Sequence, residues 1–353
     1  MRRFLITSPK KILIVKPSSL GDIVHSLPFL NAIRKRYTKA EIHWIIFKGF
    51  EGLLEGHPML HKLWVVDKDS WTKFNRAKDT AAKIKSLLRD LKKERFDLVV
   101  DLQGLLRSGL ITAATGAPVR IGFKEAREGS RFFYTNKVPG GKDIHAVDRY
   151  LKIAEFLGCD ISKVCFPFPA FESSSSFILH PSSFNSRNSS FEEYVVIVPG
   201  ARWKTKRWPP EYFGKLASLL HLRSIIVGSK DDVNIANEIV ALSQGKSFSL
   251  AGKTDLKELI SVIKGSKYVV TNDSGPMHIA AALGVPVFAI FGPTDPARTG
   301  PYGKGHTIIR ADIECAPCLR KSCADLKCMG NLSVEKVLDI IMGAKKRIQP
   351  VRH

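Results

Sequence analysis

Four polar turns hold the residues of this chain that could do chemistry. The most informative is Asn272-Asp-Ser-Gly-Pro-Met-His278, which lies between an apolar run ending at Thr271 and a run of small apolar residues reaching Leu283. It reads as a strand, a turn and a helix whose first N–H groups have no acceptor within the helix, an arrangement that binds phosphate. Asp273 could take ribose hydroxyls or cap the helix, Ser274 and Gly275 let backbone approach a phosphate closely, and Pro276 fits the first helical position. His278 lies about one turn further along the same helix edge. The next apolar run ends in a second polar turn, Phe291-Gly-Pro-Thr-Asp-Pro296, so Thr294 stands at a neighbouring strand end, where open α/β sheets place ligands.

The third turn, Val198-Pro-Gly-Ala-Arg-Trp-Lys-Thr-Lys-Arg-Trp-Pro209, collects Lys204, Lys206 and Arg207 ahead of a helix started by proline. Those cations and the helix start would together hold a diphosphate. The fourth, Pro17-Ser-Ser-Leu-Gly-Asp-Ile-Val-His25, has small residues Ser18, Ser19 and Gly21 ahead of Asp22. Asp22 is either an ordinary carboxylate in a first helical turn or a general base for an attacking hydroxyl. Each turn also has a purely structural reading, as an N-cap, a packed histidine or a solvated basic loop. The repetition of polar turns at successive strand ends favours a site.

The elements that must carry these turns come in two series. Apolar runs at 11–15, 42–47, 63–66, 97–101 and 119–123 read as short buried strands, with helical spacing over 23–37, 73–94, 105–114 and 146–157. Serine-rich sequence then reads as a linker over 171–191. Strand signals restart at 194–198, 224–227, 268–271 and 285–291, with helices expected over 210–221, 233–243, 256–264 and 334–346. Two β/α series of domain size predict an α/β protein with two doubly wound, Rossmann-like parallel-sheet domains facing a cleft. The expected boundaries are an N-terminal domain over 1–170, the linker, a nucleotide-binding domain over 192–332 and a C-terminal helix over 333–353.

Composition narrows the partners. The 353 residues are 44% hydrophobic, as in soluble globular domains, and carry 55 basic against 33 acidic side chains, a net charge of +22. Such a surplus attracts nucleic acid, acidic lipid surfaces or phosphorylated substrates. The cations are spread along the chain without a zinc-finger, RNP or helix-turn-helix pattern, which argues against nucleic acid. No apolar run approaches the roughly 20 residues of a membrane span and no signal-peptide core opens the chain, so a cytoplasmic protein is expected. No G-x-G-x-x-G follows the first strand of either half, which disfavours an oxidoreductase. Cys315, Cys318, Cys323 and Cys328 are spaced closely enough for a structural zinc, although not as the paired C-x₂-C of a zinc ribbon; packed thiols or a redox-labile loop are the alternatives.

In order along the chain, Leu13-Ile-Val-Lys-Pro-Ser-Ser-Leu-Gly-Asp-Ile-Val-His-Ser-Leu-Pro28, Pro199-Gly-Ala to Lys206-Arg-Trp-Pro209, Thr271-Asn-Asp-Ser-Gly to His278, and Phe291-Gly-Pro-Thr-Asp-Pro296 resemble the pattern of glycosyltransferase family 9, the lipopolysaccharide heptosyltransferases. The segments Asp101-Leu-Gln-Gly-Leu-Leu-Arg-Ser108, Ala126-Arg-Glu to Phe133-Tyr134 and His145-Ala-Val-Asp-Arg149 look most like its heptosyltransferase I branch. The resemblance implies a GT-B fold with an acceptor-binding N-terminal domain and a C-terminal domain for ADP-heptose. It also implies inverting transfer of L-glycero-D-manno-heptose to the Kdo of Kdo2-lipid A at the cytoplasmic face of the inner membrane. Asp22 matches the catalytic base of that pattern and Lys206 its phosphate-binding lysine. Asp273, Ser274, Gly275 and His278 match its donor turn, although some members have Thr where Ser274 stands. Ser19, Gly21, Arg107, Arg120, Arg127 and Arg131 are the expected acceptor-side contacts. Arg207 and Thr294 are further expected donor-site residues, and no metal or cofactor is expected if Lys206 and backbone donors neutralise the diphosphate. A related transferase for another sugar or core acceptor, and a non-enzymatic nucleotide or nucleic-acid binder, are the alternatives.

Overall fold

The computed structural model describes residues 7–67, 77–141, 143–170 and 193–348. The expected linker and the first residues of the basic helix expected from 73 lie outside them. The chain divides into two compact units, Met1–Ala170 and Phe171–His353.

In the N-terminal unit the order is β1 (Lys11–Val15), α1 (Leu20–Arg36), β2 (Glu41–Phe47), β3 (Lys62–Val66), α2 (Ala77–Lys93), β4 (Leu98–Asp101), α3 (Leu106–Ala114), β5 (Val119–Phe123), β6 (Asn136–Val138) and α4 (Ala146–Phe156). The six strands are parallel and ordered β3-β2-β1-β4-β5-β6. Ile12 through Val15 and Leu98 through Val100 are all buried, as a parallel sheet covered by helices on both faces requires. Leu13, Val15, Val99 and Phe96 share one core with Leu91 of α2 and Ile111 of α3.

The C-terminal unit repeats the plan. It runs β7 (Tyr194–Val198), α5 (Pro210–Leu219), β8 (Arg223–Ile226), α6 (Val233–Leu242), β9 (Ser247–Ser249), α7 (Leu256–Gly265), β10 (Val269–Asn272), α8 (Gly275–Ala282), β11 (Val287–Ile290), α9 (Pro296–Thr299), β12 (Thr307–Ile309), α10 (Lys327–Gly330) and α11 (Val334–Ile348). Its parallel sheet is ordered β12-β11-β10-β7-β8-β9. Counted from its own first strand, each sheet therefore reads 3-2-1-4-5-6, and its switch point lies between β1 and β4 in one unit and between β7 and β10 in the other. Ligands of such sheets bind beyond the carboxyl ends of those strands. The C-terminal helix α11 buries Val334, Val337 and Ile341 in the same core as Phe213 and Leu216, so it packs as part of this unit.

Three strands had no clear sequence signal. β6, β9 and β12 are three residues long and lie at sheet edges, with no fully buried run. Burial on both faces produces the continuous apolar pattern, and an edge strand lacks it.

An ionic cluster ties the amino ends of β1, β2 and β3 together. Glu94 accepts from Lys62 Nζ and Lys11 Nζ, each at 2.9 Å. The Lys62 hydrogen bond, aided by Lys11, pulls the Glu94 carboxyl from 4.5 down to about 2. Burial holds nearby His43 at about 4, below its ordinary 6.5. Both groups are depressed in the folded chain, so the unfolded chain binds more protons on acidification. The His43 contribution is intact above pH 6.5 and lost toward about 4, and that of Glu94 is intact above 4.5 and lost toward about 2. Glu94→Gln should abolish the lower step and cost about 1–2 kcal/mol at pH 7, read by urea unfolding across that range.

Candidate active site

At the first switch point, β1 runs directly into Lys16, and α1 begins three residues after Pro17. Ser19 is the N-cap of α1 and Asp22 its third residue. Asp22 Oδ2 accepts from Ser19 N at 3.1 Å and from Ser19 Oγ at 2.9 Å, while Tyr150 Oη, from α4, donates to Oδ1 at 3.3 Å. Lys16 Nζ lies 3.8 Å from Oδ2 and 5.3 Å from the Tyr150 ring centroid. The Lys16 side chain is 4% exposed and that of Asp22 is 41% exposed.

Asp22 is a first-turn carboxylate, and its geometry also leaves room for the second role that its sequence position allowed. One oxygen caps the helix, and the carboxylate still opens to solvent beside a buried cation. Asp232 shows what the cap alone looks like: its Oδ2 accepts from Ser229 N at 2.9 Å and Ser229 Oγ at 2.7 Å, yet the residue is only 8% exposed.

Lys16 and Tyr150 carried no assigned role in the sequence. Lys16 follows four buried apolar residues, Ile12 to Val15, so a charged residue there needs a reason, and that was the available signal. Burial lowers its pKa, against the opposing pull of Asp22 and Asp101. Tyr150 lies 128 residues from Asp22, a separation that no local pattern spans. If Asp22 acts as a base, Tyr150→Phe should lower turnover about 3–10-fold, the worth of one hydrogen bond, with substrate affinity unchanged; a fall in affinity instead would show that Tyr150 does not act through Asp22.

Asp101 ends β4 on the other side of the switch point. It is fully buried, with Oδ1 accepting from Gln103 N and Gly104 N and Oδ2 from Tyr134 Oη at 2.7 Å. Burial raises its pKa in spite of those bonds. Gly122, paired with Asp101 across the sheet, makes the last contact possible, because a Cβ there would run into the Tyr134 ring.

The expected acceptor-side residues separate on inspection. Arg107, Arg127 and Arg131 are exposed. Arg120 braces the fold, with Nε donating to Phe133 O at 2.9 Å and Nη1 to Ala117 O at 2.6 Å. Ser19 orients Asp22 through both its N–H and its hydroxyl, and Gly21 is buried in the first turn of α1.

At the second switch point, Lys206 Nζ donates to Asp273 Oδ2 at 2.6 Å, and Thr294 Oγ1 donates to the same oxygen at 2.7 Å. The side chains of Lys206 and Asp273 are 17% and 5% exposed. Asp273 therefore does not cap α8, and its Oδ2 is committed to Lys206 and Thr294. Ser274 is the N-cap, α8 starts at Gly275, and Pro276 takes the second helical position, where a missing N–H also costs nothing. Ser274 Oγ lies 3.3 Å from Thr271 Oγ1, and His278 is buried at 7% exposure.

The basic loop is anchored through Trp208. Trp208 donates from N to Asn272 Oδ1 at 3.1 Å and from Nε1 to Leu332 O at 2.9 Å, and Asn272 Nδ2 donates to Pro199 O at 2.7 Å. These bonds tie the carboxyl ends of β7 and β10 together. Arg207 Nε donates to Ala201 O at 2.8 Å, bracing the loop. Lys206 and Lys321 lie 4.7 and 5.3 Å from the Trp203 ring centroid. The cysteine segment buttresses this site, since Thr205 Oγ1 donates to Arg320 O at 2.9 Å and Leu319 N to Pro293 O at 2.8 Å.

The four thiols are not assembled as a metal cage. Among the described residues, Glu41, His43 and His61 form the one group of three such ligands within 4.8 Å of one another, and no three of the thiols do so. Cys328 is buried, while Cys315 and Cys323 are exposed. Burial and the neighbouring thiols Cys315, Cys318 and Cys323 raise the Cys328 pKa. The Glu41 group does not suit a metal either. Trp64 Nε1 donates to His43 Nδ1 at 3.2 Å, which places the proton of the neutral imidazole on Nε2, and Lys11 Nζ already sits 3.3 Å from Glu41.

Comparison with known proteins follows these switch points. The sequence profile described as glycosyltransferase family 9 (heptosyltransferase) matches residues 84–329. Lipopolysaccharide heptosyltransferase 1 of Pseudomonas aeruginosa is 31% identical over 89% of this chain and 87% of its own length. Lipooligosaccharide heptosyltransferase 2 of Haemophilus ducreyi is 30% identical over 85% of this chain and 88% of its own. The structure of Escherichia coli heptosyltransferase WaaC with ADP-2-deoxy-2-fluoro heptose superimposes with a TM-score of 0.75 at 25% identity, covering 94% of this chain and 99% of that one. The pair of doubly wound sheets is the GT-B fold. With the profile spanning well over half of its length, this chain belongs to glycosyltransferase family 9 and is a glycosyltransferase.

Proposed function

We propose that the protein transfers L-glycero-D-manno-heptose from ADP-heptose, with inversion, to the Kdo of Kdo2-lipid A during lipopolysaccharide inner-core synthesis. The observation that carries the chemistry is the pair of unlike sites at the two switch points. One offers a solvent-accessible carboxylate beside a buried lysine. The other offers a lysine fixed by a buried carboxylate next to the start of α8. Inverting substitution at an anomeric carbon needs both: a base for the incoming hydroxyl and positive charge for the departing diphosphate.

In this reading Asp22 takes the proton of the acceptor hydroxyl as its oxygen attacks the anomeric carbon. The new C–O bond forms while the bond to the diphosphate oxygen breaks, and the electron pair leaves with ADP. Lys206 and the first N–H groups of α8 neutralise that charge. Asp273 and Thr294 act through Lys206 by fixing its ammonium group. Ser274, Gly275 and His278 complete the donor turn, and Arg207 contributes charge while bracing the loop. Arg107 and Arg127 remain available to carboxylate or phosphate groups of the acceptor. The chemistry calls for no cofactor.

The heptose and its donor are supported by relatives named as heptosyltransferases and by the ADP-sugar analogue bound to the E. coli enzyme. The acceptor rests on weaker ground, because a heptosyltransferase 2 is nearly as similar as a heptosyltransferase 1. A second reading, transfer to a core that already carries one heptose, follows from that observation. The test is release of ADP when the protein meets ADP-heptose with Kdo2-lipid A or with its heptosylated product, alongside other nucleotide sugars. Turnover only on the heptosylated acceptor selects the second reading, and turnover only with another sugar removes both. Among the described residues no helix is long and apolar enough to cross a membrane. In this reading the lipid-borne acceptor is met by peripheral contact with the cytoplasmic face of the inner membrane.

A further inference from the structure

One face of the N-terminal unit carries apolar side chains that its core does not use. Among the described residues, five large hydrophobics of this unit are exposed, and three of them are Leu106, Leu110 and Phe132, at 42%, 46% and 72%. Leu106 and Leu110 are one helical step apart on α3, so they share a face, and Ala114 is the next residue of that stripe. Phe132 belongs to the short 3₁₀ turn Ser130–Phe133, which lies directly against α3: a Cβ on Gly109 would come within 2.6 Å of the Phe133 ring. Beyond Ala114 the stripe opens into a groove between α3 and α2, floored by Ile84 and Leu88 and edged by Lys85, Arg89 and Lys92.

The border of this strip is cationic. Arg107, Arg127 and Arg131 are exposed along it, and the Arg131 guanidinium lies 5.1 Å from the Phe132 ring centroid. Glu128 is committed to the N–H of Leu106 at 3.1 Å. The strip is also continuous with the first switch point. α3 follows β4, the neighbour of β1, and Arg127 N donates to Gly104 O at 2.9 Å, three residues beyond the end of β4.

Apolar side chains inside a rim of lysine and arginine suit a bilayer with anionic headgroups, where the former enter the headgroup boundary and the latter meet phosphates. A second copy of this chain would bring two surpluses of +22 together, and protein interfaces are depleted in lysine. We propose that the α2–α3 face, with Leu106, Leu110 and Phe132 at its centre, docks the protein on an anionic lipid surface. The acceptor hydroxyl would then be presented beside Asp22 by a molecule still seated in that surface. This builds on the reading of a lipid-borne acceptor, and vesicle binding tests it without turnover.

The experiment co-sediments the full chain with vesicles of phosphatidylcholine alone or mixed with phosphatidylglycerol, at low and high salt. The expected result is binding to the mixed vesicles, weakened by salt. The double variant Leu110→Ser/Phe132→Ser should bind them at least ~10-fold more weakly while keeping its melting temperature and its affinity for ADP. Wild-type binding by the variant, equal binding to neutral vesicles, or self-association through this face with no vesicle binding would each overturn the proposal. Heptosyl transfer to a detergent-dispersed acceptor in the absence of vesicle binding would remove the docking surface and leave the transfer reaction standing.

Discussion

Asp22→Asn is expected to lower turnover by about 10²–10⁴-fold and to leave ADP-sugar affinity within about twofold of wild type. The size follows from what a positioned base contributes, and the split between rate and affinity follows from where the residue sits. Asp22 is in the N-terminal unit, whereas the lysine and helix start proposed to hold the diphosphate are in the C-terminal one. The substitution keeps an oxygen for the Ser19 N–H and hydroxyl, so α1 retains its cap and the loss reports on chemistry. Asp22→Ala adds the loss of that cap, about 0.5–2 kcal/mol of stability, and should be no slower than the asparagine variant if the carboxylate is the base. The measurement is single-turnover ADP release with saturating acceptor, beside titration of ADP binding. Equal losses of affinity and rate would make Asp22 part of a donor-binding surface; a loss of stability alone would make it a cap like Asp232.

How far the sequence reached depends on whether a feature is local. The central strands of both sheets were legible because each is an apolar run buried on both faces, and the four polar turns were legible because small residues, prolines and charges interrupt those runs. Asp22, Lys206 and Asp273 were singled out in this way, and the fold sets each of them beyond the carboxyl end of a central strand. Their partners were harder to read. Nothing near Lys206 says that its ammonium is paired with Asp273, 67 residues on, or that Thr294 closes the same contact. The Arg120 side chain looked like an anion ligand in a basic chain, yet two backbone carbonyls take it. A cation in a sequence is a charge without an address, and only the fold decides whether it meets a substrate, a carboxylate or a carbonyl. The cysteines show the same limit from the other side: their spacing allowed a tetrahedral cage, while the fold uses their segment to hold the Lys206 loop against the turn at Pro293.

Lys206→Ala carries the second large effect, and it must be separated from its own structural cost. Removing one preorganised donor from a developing anion costs about 10²–10³-fold in rate. Here it also leaves Asp273, with a side chain only 5% exposed, facing the leaving group without its cation. Breaking a buried pair from one side costs up to about 3–5 kcal/mol, so Lys206→Ala should unfold at lower temperature as well as turn over slowly. The double variant Lys206→Met/Asp273→Asn removes both charges at similar volume and keeps a group that Thr294 can bond, so most of the lost stability should return. Its rate should not. If the rate returned together with the melting temperature, the pair would be a structural bridge and the diphosphate would have to be held elsewhere. If stability returns while ADP affinity and turnover stay low, Lys206 is the leaving-group cation and Asp273 its positioning residue. Asp273→Asn alone then has a defined direction: it frees the Lys206 ammonium from a competing anion, so ADP should bind at least as tightly as in wild type, while turnover falls because the cation is no longer fixed where charge develops.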